Sequence, residues 1–388
     1  MLRYLGHRLL QILVLLFVFI TLTYFILQAM PGDFTSIYAS NPQMTPEMIA
    51  NLQARFGLNE SVWVQYVRFL RNIVTGDLGV SFSEYPRPVW DIIKERLPRT
   101  FVLFFSANII SFYIGFWLGK WSAWYKGRAA DKVLVTGSIS LITAFYPLVA
   151  FMALWVFSYH LGWLPLNNFV DPILWSNAPL SSMQVFGYII YAAVVTTALL
   201  ILVSLLLRKK GVAGAKSRWI PPIVLGLALL SAVALFQRSG LLIYVFDILY
   251  HLLLPLFVLT FIRIGSSLLL TRDAVLAVTQ EDYVLAARAR GLAPAVIRNR
   301  YLARNAIHPV VTSLALSLGE SFSGGVVTET LFSWPGIGLT LLRASLGGDY
   351  PLAVGAFIIT GIFLLLGHVA ADIATACLDP RLRDSIGR

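Results

Sequence analysis

Long, uninterrupted apolar runs set the pattern of this chain. Eight of them are long enough to cross the ~30 Å hydrocarbon core of a bilayer as helices. The predicted spans are 9–29, 101–119, 133–158, 184–207, 219–236, 242–270, 310–331 and 351–376. A β-barrel is excluded, because barrel strands alternate apolar and polar residues in short segments, whereas these runs are continuous. The pattern therefore predicts an all-α polytopic membrane protein.

The composition excludes a soluble fold of this size. Hydrophobic residues make up 58% of the 388 residues and charged residues only 13%, against about 25% charged residues in soluble domains. Disulfide stapling is excluded too, because Cys377 is the only cysteine in the sequence. The first apolar run, Leu9 to Ala29, is too long for the core of a typical signal peptide, and no small-residue cleavage site follows it. It predicts a retained anchor helix.

The net charge of the chain is +11, and the basic residues are divided unevenly between the two predicted sides of the membrane. With the N-terminus placed in the cytoplasm, 20 of the 30 basic residues fall in cytoplasmic segments, nine fall on the opposite side, and Arg263 lies within a span. This asymmetry is the positive-inside pattern. Both termini are therefore expected in the cytoplasm, and the basic residues are expected to contact the anionic lipid of the bilayer rather than nucleic acid.

The spans divide the chain into five expected regions. They are an N-terminal anchor helix (1–30), an external segment (31–99), two transmembrane helices (100–170), a transmembrane hairpin (171–240) and a core (241–388) that carries a cytoplasmic loop (272–309). In the external segment, capping residues and periodicity predict helices over 45–56 and 62–75. Neither span of the hairpin holds an ionisable residue. This favours a lipid-facing accessory pair and leaves a transport role as the alternative.

The cytoplasmic loop 272–309 has the pattern of two helices joined by a tight turn. Residues 281–290 are rich in alanine and arginine, which favour a helix, and Gly291 is expected to end it. Pro294 is expected to start a second helix that runs to about Ile307, before Pro309. The alanines permit close approach of another surface, and the arginines supply charge. Two interpretations stay open: docking into a groove of a soluble partner, or an amphipathic helix held on anionic headgroups.

The sequence carries no catalytic constellation beside this loop. It holds no nucleophile–base pair, no glycine-rich phosphate cradle and no cluster of metal-ligating residues, which are the patterns that accompany chemistry in other chains. We therefore expect a non-catalytic protein that binds no cofactor and no metal of its own.

Four groups of residues resemble the permeases of binding-protein-dependent ABC importers of the dipeptide, oligopeptide and nickel type. The coupling loop of those permeases is resembled by Ala286-Ala287-Arg288-Ala289-Arg290-Gly291 with Ile297, Asn305, Ala306 and Pro309, although Leu285 stands where a glutamate is usual. Their external segment is resembled by Gly76-Asp77-Leu78-Gly79 with Ser81, Arg87-Pro88-Val89 and Arg96-Leu97-Pro98. Their last external loop and C-terminal end are resembled by Phe332-Ser333-Trp334-Pro335-Gly336-Ile337-Gly338, Asp349-Tyr350-Pro351 and Leu378-Asp379-Pro380-Arg381. Together, in this order, they make the chain similar to the first permease subunit of such an importer.

The resemblance implies an architecture and a set of partners. Such permeases usually have six spans, so the chain is expected to be a six-span core with an inserted hairpin at about 171–240, eight spans in all. The implied partners are a second permease subunit, two cytoplasmic ATPase subunits that hold ATP and Mg²⁺, and an extracytoplasmic substrate-binding protein. The implied location is the cytoplasmic (inner) membrane of a bacterium or archaeon.

The resemblance also implies roles for particular residues. Residues 282–304 are expected to contact the ATPase subunits, through Asp282, Ala286, Ala287, Arg288, Gly291, Ile297, Arg298 and Arg304. Asp77 and Trp334 are expected on the side where the binding protein docks. Peptide is the expected substrate, and nickel chelates, glutathione and oligosaccharides are the alternatives within the family.

Several ionisable residues lie inside predicted spans, where each is costly unless it is paired or hydrated. Arg263 and Asp372 lie near the inner ends of their spans and are expected to form an ion pair, with substrate contact as the alternative. His368 and Asp372 are four residues apart and therefore share a helix face. They form either a satisfied polar cluster or a proton relay.

Glu320 lies near the middle of the span 310–331, close to Ser317 and Ser321. One hypothesis is that these three residues line the translocation pathway and that Glu320 favours a cationic group such as a peptide α-amine. The other is that a protonated Glu320 is hydrogen-bonded between helices.

Two other function classes compete with an importer permease. An ion-coupled secondary transporter is expected to show internal repeats and paired broken spans, and it does not explain the long cytoplasmic loop. An intramembrane enzyme needs convergent catalytic residues within the spans, and the candidates in this sequence are scattered.

Overall fold

The computed structural model describes residues 2–28, 45, 47, 60–209 and 220–378. Side chains are described at 45 and 47 and within 10–26, 60–207 and 220–373. The predicted helix 45–56, apart from two positions, and the C-terminal residues from Asp379 lie outside the described residues. Within the described residues the regular structure is helical, with one isolated bridge between Val80 and Pro88.

The chain passes through a series of helices of very different length. The first are α1 (Leu2–Gln28), α2 (Val62–Thr75), α3 (Val89–Trp124), α4 (Ala129–Thr143) and α5 (Tyr146–Ala153), which continues as a π-helical segment, Leu154–His160. Then come α6 (Pro172–Trp175), α7 (Ser182–Lys209), α8 (Ile220–Arg238) and α9 (Leu242–Thr279). The last are α10 (Asp282–Ala289), α11 (Pro294–Val296), a π-helical segment (Ile297–Leu302), α12 (Ala303–Glu320), α13 (Val326–Leu331), α14 (Ile337–Leu346) and α15 (Tyr350–Leu378).

Five of the described helices are long and apolar enough to cross a membrane: α3, α7, α8, α9 and α15. The number is six if α4 and the helix that begins at Tyr146 form one bent span. The described side chains of α1 form a shorter apolar stretch, Leu10–Ile26. The chain is thus a multi-pass helical membrane protein, whereas the count of eight spans and the cytoplasmic position of both termini stay predictions.

The predicted span 133–158 is wrong as a single straight helix. The chain bends by 102° between α4 and the helix that begins at Tyr146. Ala144 at this bend has an extended backbone. Pro147 fits the start of a new helix here, because it lies in the first turn of the helix that begins at Tyr146, where its missing backbone N–H removes no helix hydrogen bond.

The predicted span 310–331 is also wrong as a continuous helix. α12 ends at Glu320, and α13 begins only at Val326. Between them Gly324 has a φ of +72°, and Gly325 is extended. Glycine is the residue that adopts a positive φ without a steric penalty, so the break falls where the sequence permits it.

The loop helix that was expected to end before Pro309 instead continues through it. The chain stays helical from Pro294 to Glu320, with the π-helical segment Ile297–Leu302 inside this stretch. A proline removes one backbone hydrogen bond from a helix. Membrane helices tolerate this because neighbouring helices and local π-type turns satisfy the freed groups.

The described chain forms two compact units, residues 1–152 with 256–388 and residues 153–255. In the first unit, the start of α3 packs against α14 and the start of α15. The buried residues of this cluster are Val89, Ile92, Ile93, Ile337, Ala344, Leu352, Ala353 and Ala356. Their close packing holds together the end of this unit at which the predicted external segment joins α3.

Glycines set the close helix crossings of the first unit. A Cβ atom on Gly319 of α12 would lie 2.8 Å from the carbonyl carbon of Gly367 in α15. A Cβ atom on Gly115 of α3 would lie 2.5 Å from the Cβ atom of Ser267 in α9. Small residues at such crossings let the backbones of membrane helices approach closely. The polar residues beside these crossings are thereby brought together.

The second unit carries the hairpin of α7 and α8. Asp247 accepts hydrogen bonds from the indole N–H of Trp175 (2.7 Å) and the backbone N–H of Asp171 (3.0 Å). Phe169 and Phe186 pack edge to face, with ring centroids 5.4 Å apart. None of the most apolar 18-residue window of α7 or of α8 is buried, which is the exposure that a lipid-facing pair requires.

Candidate functional site: coupling helix, polar centre and external clasp

The short helix α10 is held by its inner face against the ends of two long helices. Val284 and Ala287 are 0% and 2% exposed and pack with Ala123 of α3 and Val275 of α9. Ile297, Leu302 and Ala306 of the following helix complete this cluster. Because such clusters are close-packed and transmit strain, a displacement of α10 is passed on to α3, α9 and α12.

A left-handed glycine ends α10, as the sequence predicts. Gly291 has a φ of +72°. Its N–H donates to the carbonyl of Arg288 (2.9 Å), and the N–H of Leu292 donates to that of Ala287 (3.3 Å). These two bonds form the Schellman arrangement that closes many helices, so the turn into α11 has a fixed geometry.

The outer face of α10 is exposed and combines apolar and basic groups. Asp282, Ala286 and Arg288 are exposed, and Leu285 is 55% exposed. The predicted coupling residues thus fall into two sets. Asp282, Ala286, Arg288 and Arg304 lie on the surface with Gly291, whereas Ala287 and Ile297 are buried and Arg298 is half-buried.

Arg272, near the end of α9, is bound to Asp131 in the first turn of α4. The Nε and Nη2 atoms of Arg272 donate to the two carboxylate oxygens of Asp131 at 2.8 and 3.1 Å. Ser122 of α3 and the backbone N–H of Gly127 donate to the same carboxylate, at 2.6 and 2.8 Å. One carboxylate therefore joins α3, the turn after it, α4 and α9, next to the cluster that holds α10.

A fully buried asparagine is the polar centre of the helix bundle. Asn108 of α3 donates from its amide nitrogen to the carbonyl of Ser317 (2.8 Å) and the hydroxyl of Ser321 (2.9 Å), both beside Glu320. Its amide oxygen accepts a hydrogen bond from Nη1 of Arg263 in α9 (2.7 Å). The predicted pathway residues Ser317 and Ser321 are thus tied to Asn108 and, through it, to Arg263.

Arg263 has a different partner from the one expected. Its hydrogen bond goes to Asn108, and no ion pair with Asp372 occurs among the described residues. The crossing at Gly115 and Ser267 explains this, because Asn108 lies two turns before Gly115 and Arg263 one turn before Ser267. Asp372 lies half-buried in α15, where His368 contacts the carbonyl of Leu364 through Nδ1 (2.8 Å).

Glu320 is exposed at the end of α12, directly before Ser321, whose hydroxyl accepts a hydrogen bond from Asn108. Ser323 donates to the backbone carbonyl of Glu320 (2.7 Å), not to its carboxylate. The structure therefore brings Ser317, Glu320, Ser321 and Arg263 to one level of the bundle, around Asn108.

A second acidic residue, Glu329 of α13, is completely buried. Its carboxylate accepts hydrogen bonds from the hydroxyl of Thr100 (2.7 Å) and the backbone N–H of Leu339 (2.9 Å). A Cβ atom on Gly336 would collide with this carboxylate and with Thr100. Glycine is therefore required at 336, because the chain closes here around a carboxylate that needs backbone donors.

On the predicted external side, Asp349 clasps the chain just before α3. Its Oδ2 atom accepts hydrogen bonds from the hydroxyl of Ser81, the backbone N–H of Phe82 (3.0 Å), and the N–H (3.0 Å) and hydroxyl (2.6 Å) of Ser83. Nearby, a hydrogen bond to Glu95 raises the pKa of the Arg87 guanidinium. Both contacts fix the predicted external segment on the helices.

The two residues predicted on the binding-protein side differ in exposure. Asp77 is exposed, and its side chain accepts a hydrogen bond from the N–H of Gly79 (3.0 Å). Trp334 is 0% exposed, and its indole N–H donates to the carbonyl of Arg99 (3.2 Å). Trp334 therefore packs the loop from within and offers no surface to a partner.

Two family models match the chain at the places where these features lie. Residues 217–384, from the second hairpin helix through α15, match the model described as binding-protein-dependent transport system inner membrane component. Residues 1–104 match the N-terminal model for the membrane component of the same systems. The chain belongs to this permease family.

Curated relatives of this permease are similar over nearly its whole length. It is 28% identical to the dipeptide transport system permease protein DppB of Alkalihalophilus pseudofirmus, over 99% of this chain and 100% of the relative. It is 28% identical to the di/tripeptide transport system permease protein DppB of Pseudomonas aeruginosa and to the dipeptide transport system permease protein DppB of Escherichia coli K12. Each of these two matches covers 99% of both chains.

Sequence reasoning missed three residues that organise the interior of this permease: Asn108, Asp131 and Glu329. Two of them carried a signal, since a polar residue within an apolar span is costly unless it is satisfied. Asn108 falls in the predicted span 101–119 and Glu329 in 310–331. Asp131 carried no such signal, because its role depends on Arg272, which becomes its neighbour only in the folded structure.

Proposed function

We propose that this permease forms, with a second permease subunit, the membrane pathway of an ATP-driven importer of short peptides. The observation that carries the proposal is its similarity, over 99% of its length, to permeases named for dipeptide or di/tripeptide transport. An extracytoplasmic binding protein delivers the peptide, and two cytoplasmic ATPase subunits, which hold ATP and Mg²⁺, drive the cycle. This chain contributes no catalytic group of its own.

In the proposed mechanism, α10 is the mechanical contact with an ATPase subunit. Its exposed face (Ala286, Arg288) enters a groove on that subunit, and its buried face (Val284, Ala287) pushes on α3 and α9. Nucleotide binding by the ATPases then favours one arrangement of these helices and hydrolysis the other. Each state must bind its ligands more tightly than the other state does, because only differential affinity shifts such an equilibrium.

In this proposal peptide passes the bundle at the level of Asn108, where the exposed Glu320 faces the pathway and Ser317 and Ser321 hold Asn108 in place. Asp77 and the segment clasped by Asp349 lie on the side where the binding protein docks. The proposed location is the cytoplasmic (inner) membrane of a bacterium or archaeon, with both termini in the cytoplasm.

ATP-dependent uptake of a labelled dipeptide into proteoliposomes tests this proposal. The liposomes contain this chain with the permease, ATPase and binding-protein subunits encoded beside it. We expect uptake by the wild-type complex that stops when ATP is omitted. In Arg288→Glu, charge reversal on the exposed face of α10 is expected to reduce both uptake and peptide-stimulated ATP hydrolysis at least tenfold.

Arg238→Glu is the matched control, because Arg238 is an exposed arginine at the end of α8, far along the chain from the coupling loop. It is expected to transport as the wild type does. Failure of the wild-type complex to take up any peptide would refute the proposed substrate. Equal behaviour of the two arginine variants would refute the role of α10.

A further inference from the structure

Two opposite charges from different helices lie at one level of the bundle without neutralising each other directly. Arg263 of α9 is anchored by its Nη1 atom to Asn108 (2.7 Å). Asn108 in turn donates to the carbonyl of Ser317 in α12 and to the hydroxyl of Ser321, the residue that follows Glu320 and caps α12. Glu320 thus lies beside the network that orients Arg263, yet no ion pair joins the two side chains in the described residues.

Both charges keep most of their bonding capacity. A guanidinium has five N–H donors, and within the described part of the chain Arg263 uses one of them. The exposed carboxylate of Glu320 accepts no hydrogen bond from any described residue. The hydroxyl of the neighbouring Ser323 donates to the backbone carbonyl of Glu320, not to its carboxylate. No nitrogen of Arg263 is among the buried polar atoms without a partner, so its free donors reach solvent-accessible space.

Placing a guanidinium and a carboxylate at this level of the bundle without a direct ion pair costs free energy unless a ligand binds them. Charged groups at membrane depth are retained where they pair with one another or line a hydrated pathway that carries a polar ligand. Here the guanidinium is oriented by Asn108, and the carboxylate is left open beside it. A ligand that fits carries one negative and one positive group at its two ends.

We infer that Arg263 and Glu320 form a subsite for the two free termini of a short peptide. The guanidinium of Arg263 binds the α-carboxylate, for which its planar fork is suited, and the carboxylate of Glu320 binds the α-ammonium group. The inference rests on the proposed function and deepens it, because it assigns the permease itself a share in substrate recognition.

The same geometry limits peptide length. The separation of a peptide's termini grows by roughly 3.3–3.6 Å for each extended residue, whereas the two protein charges are held by helices. Only a narrow range of short peptides can therefore contact both charges at once. Longer peptides, and peptides with a blocked terminus, lose one contact.

The test measures binding of radiolabelled dipeptide to the purified complex of both permeases and the ATPases in nanodiscs, without the binding protein. This omission matters because a binding protein can impose its own preference for free termini. Competition by the free, the N-acetylated and the C-amidated dipeptide gives two preference ratios for each variant. The variants are Arg263→Gln and Glu320→Gln, with Arg263→Lys and Glu320→Asp as charge-conserving partners.

We expect each variant to lose one preference and keep the other. Arg263→Gln is expected to lose the discrimination against the amidated peptide by about tenfold, as for one charge-assisted hydrogen bond, and to retain that against the acetylated peptide. Glu320→Gln is expected to do the reverse. The charge-conserving variants are expected to restore part of each lost preference, which a purely structural role does not predict.

Several outcomes overturn the inference while leaving peptide import intact. They are uptake by the complete wild-type system without saturable binding by the permease complex, loss of affinity for all three peptides alike, and unchanged ratios in both variants. If the double variant Arg263→Gln with Glu320→Gln recovered the dipeptide binding lost in a single variant, the two residues would form an internal ion pair instead of a subsite. Absence of uptake by the complete wild-type system is a separate result, because it refutes the proposed function.

Discussion

Arg272 and Asp131 form a side-on ion pair with two hydrogen bonds of 2.8 and 3.1 Å, although 141 residues separate them in the chain. Asp131 is 3% exposed; the pair joins α4 to α9, and Ser122, which donates to the same carboxylate, adds α3. Asp131→Asn is expected to lower the thermal stability of the purified permease, because a charge-assisted pair of this kind contributes about 1.5–3 kcal/mol. The midpoint of thermal unfolding in nanodiscs measures this effect.

Asp91→Asn is the control for that measurement. Asp91 is also in the first turn of a helix, but its pair with Lys94 is exposed and has an N···O distance of 3.9 Å. Exposed pairs of this geometry contribute little, so its midpoint is expected to stay within error of the wild type. Equal shifts for the two variants would contradict the role given to the buried pair.

Gly291→Ala is expected to uncouple transport while leaving the protein folded. The new methyl group meets no atom within 4 Å, so the effect comes only from the backbone, where a left-handed conformation costs a residue with a side chain about 1–2 kcal/mol. The turn after α10 then shifts its exposed face. Peptide-stimulated ATP hydrolysis by the assembled complex measures the loss, and a several-fold decrease is expected.

Gly226→Ala is the matched control, since its methyl group also meets nothing within 4 Å but its φ is not positive. Alanine is favoured over glycine in a helix interior, so full coupling and unchanged or higher stability are expected. Retention of full coupling by Gly291→Ala would mean that this turn does not position α10 for its proposed contact.

The pair Asn108 and Arg263 is expected to show strong coupling in a double-mutant cycle. Asn108→Leu leaves a half-buried guanidinium without its acceptor and frees two groups of α12, so a destabilisation of about 2–3 kcal/mol is expected. Arg263→Leu added to it removes the orphaned charge and is expected to recover part of that loss. Chemical or thermal unfolding of the wild type, the two single variants and the double variant gives the coupling free energy. Additive effects of the two substitutions would contradict the interaction between Asn108 and Arg263.

Asp349→Asn is expected to release the segment around Ser81 and Ser83. Four donors converge on one oxygen of this buried carboxylate, and a neutral amide accepts such bonds more weakly and places two donors among them. Limited proteolysis is expected to cut this segment faster in the variant. Asp77→Asn is the control, because Asp77 is exposed and the described hydrogen bond of its side chain is local. Faster cutting in both variants would indicate a general loss of packing.

Long apolar runs, helix-ending glycines and helix-starting prolines were readable from the sequence because they act locally. Helix α2 has the bounds predicted for it, and Gly291 ends α10 as expected. The sequence did not reveal the bend before Tyr146, the break after Glu320 or the helix through Pro309. In each case the local pattern allows either outcome, and packing between helices together with satisfaction of buried backbone groups decides.

Sequence by itself determined that this is a helical membrane protein with a long helical loop between two spans, and the residues of that loop carried part of the family likeness. Only the tertiary structure decided which polar side chains meet. Arg263 faces Asn108 rather than Asp372, and Glu329 is enclosed by a glycine-containing loop, because close crossings at small residues set which helix faces touch. Hydropathy predicts that burying a polar group is unfavourable. Which residue becomes the hydrogen-bond partner of that group depends on how the helices pack in three dimensions, and the order of residues alone does not show this.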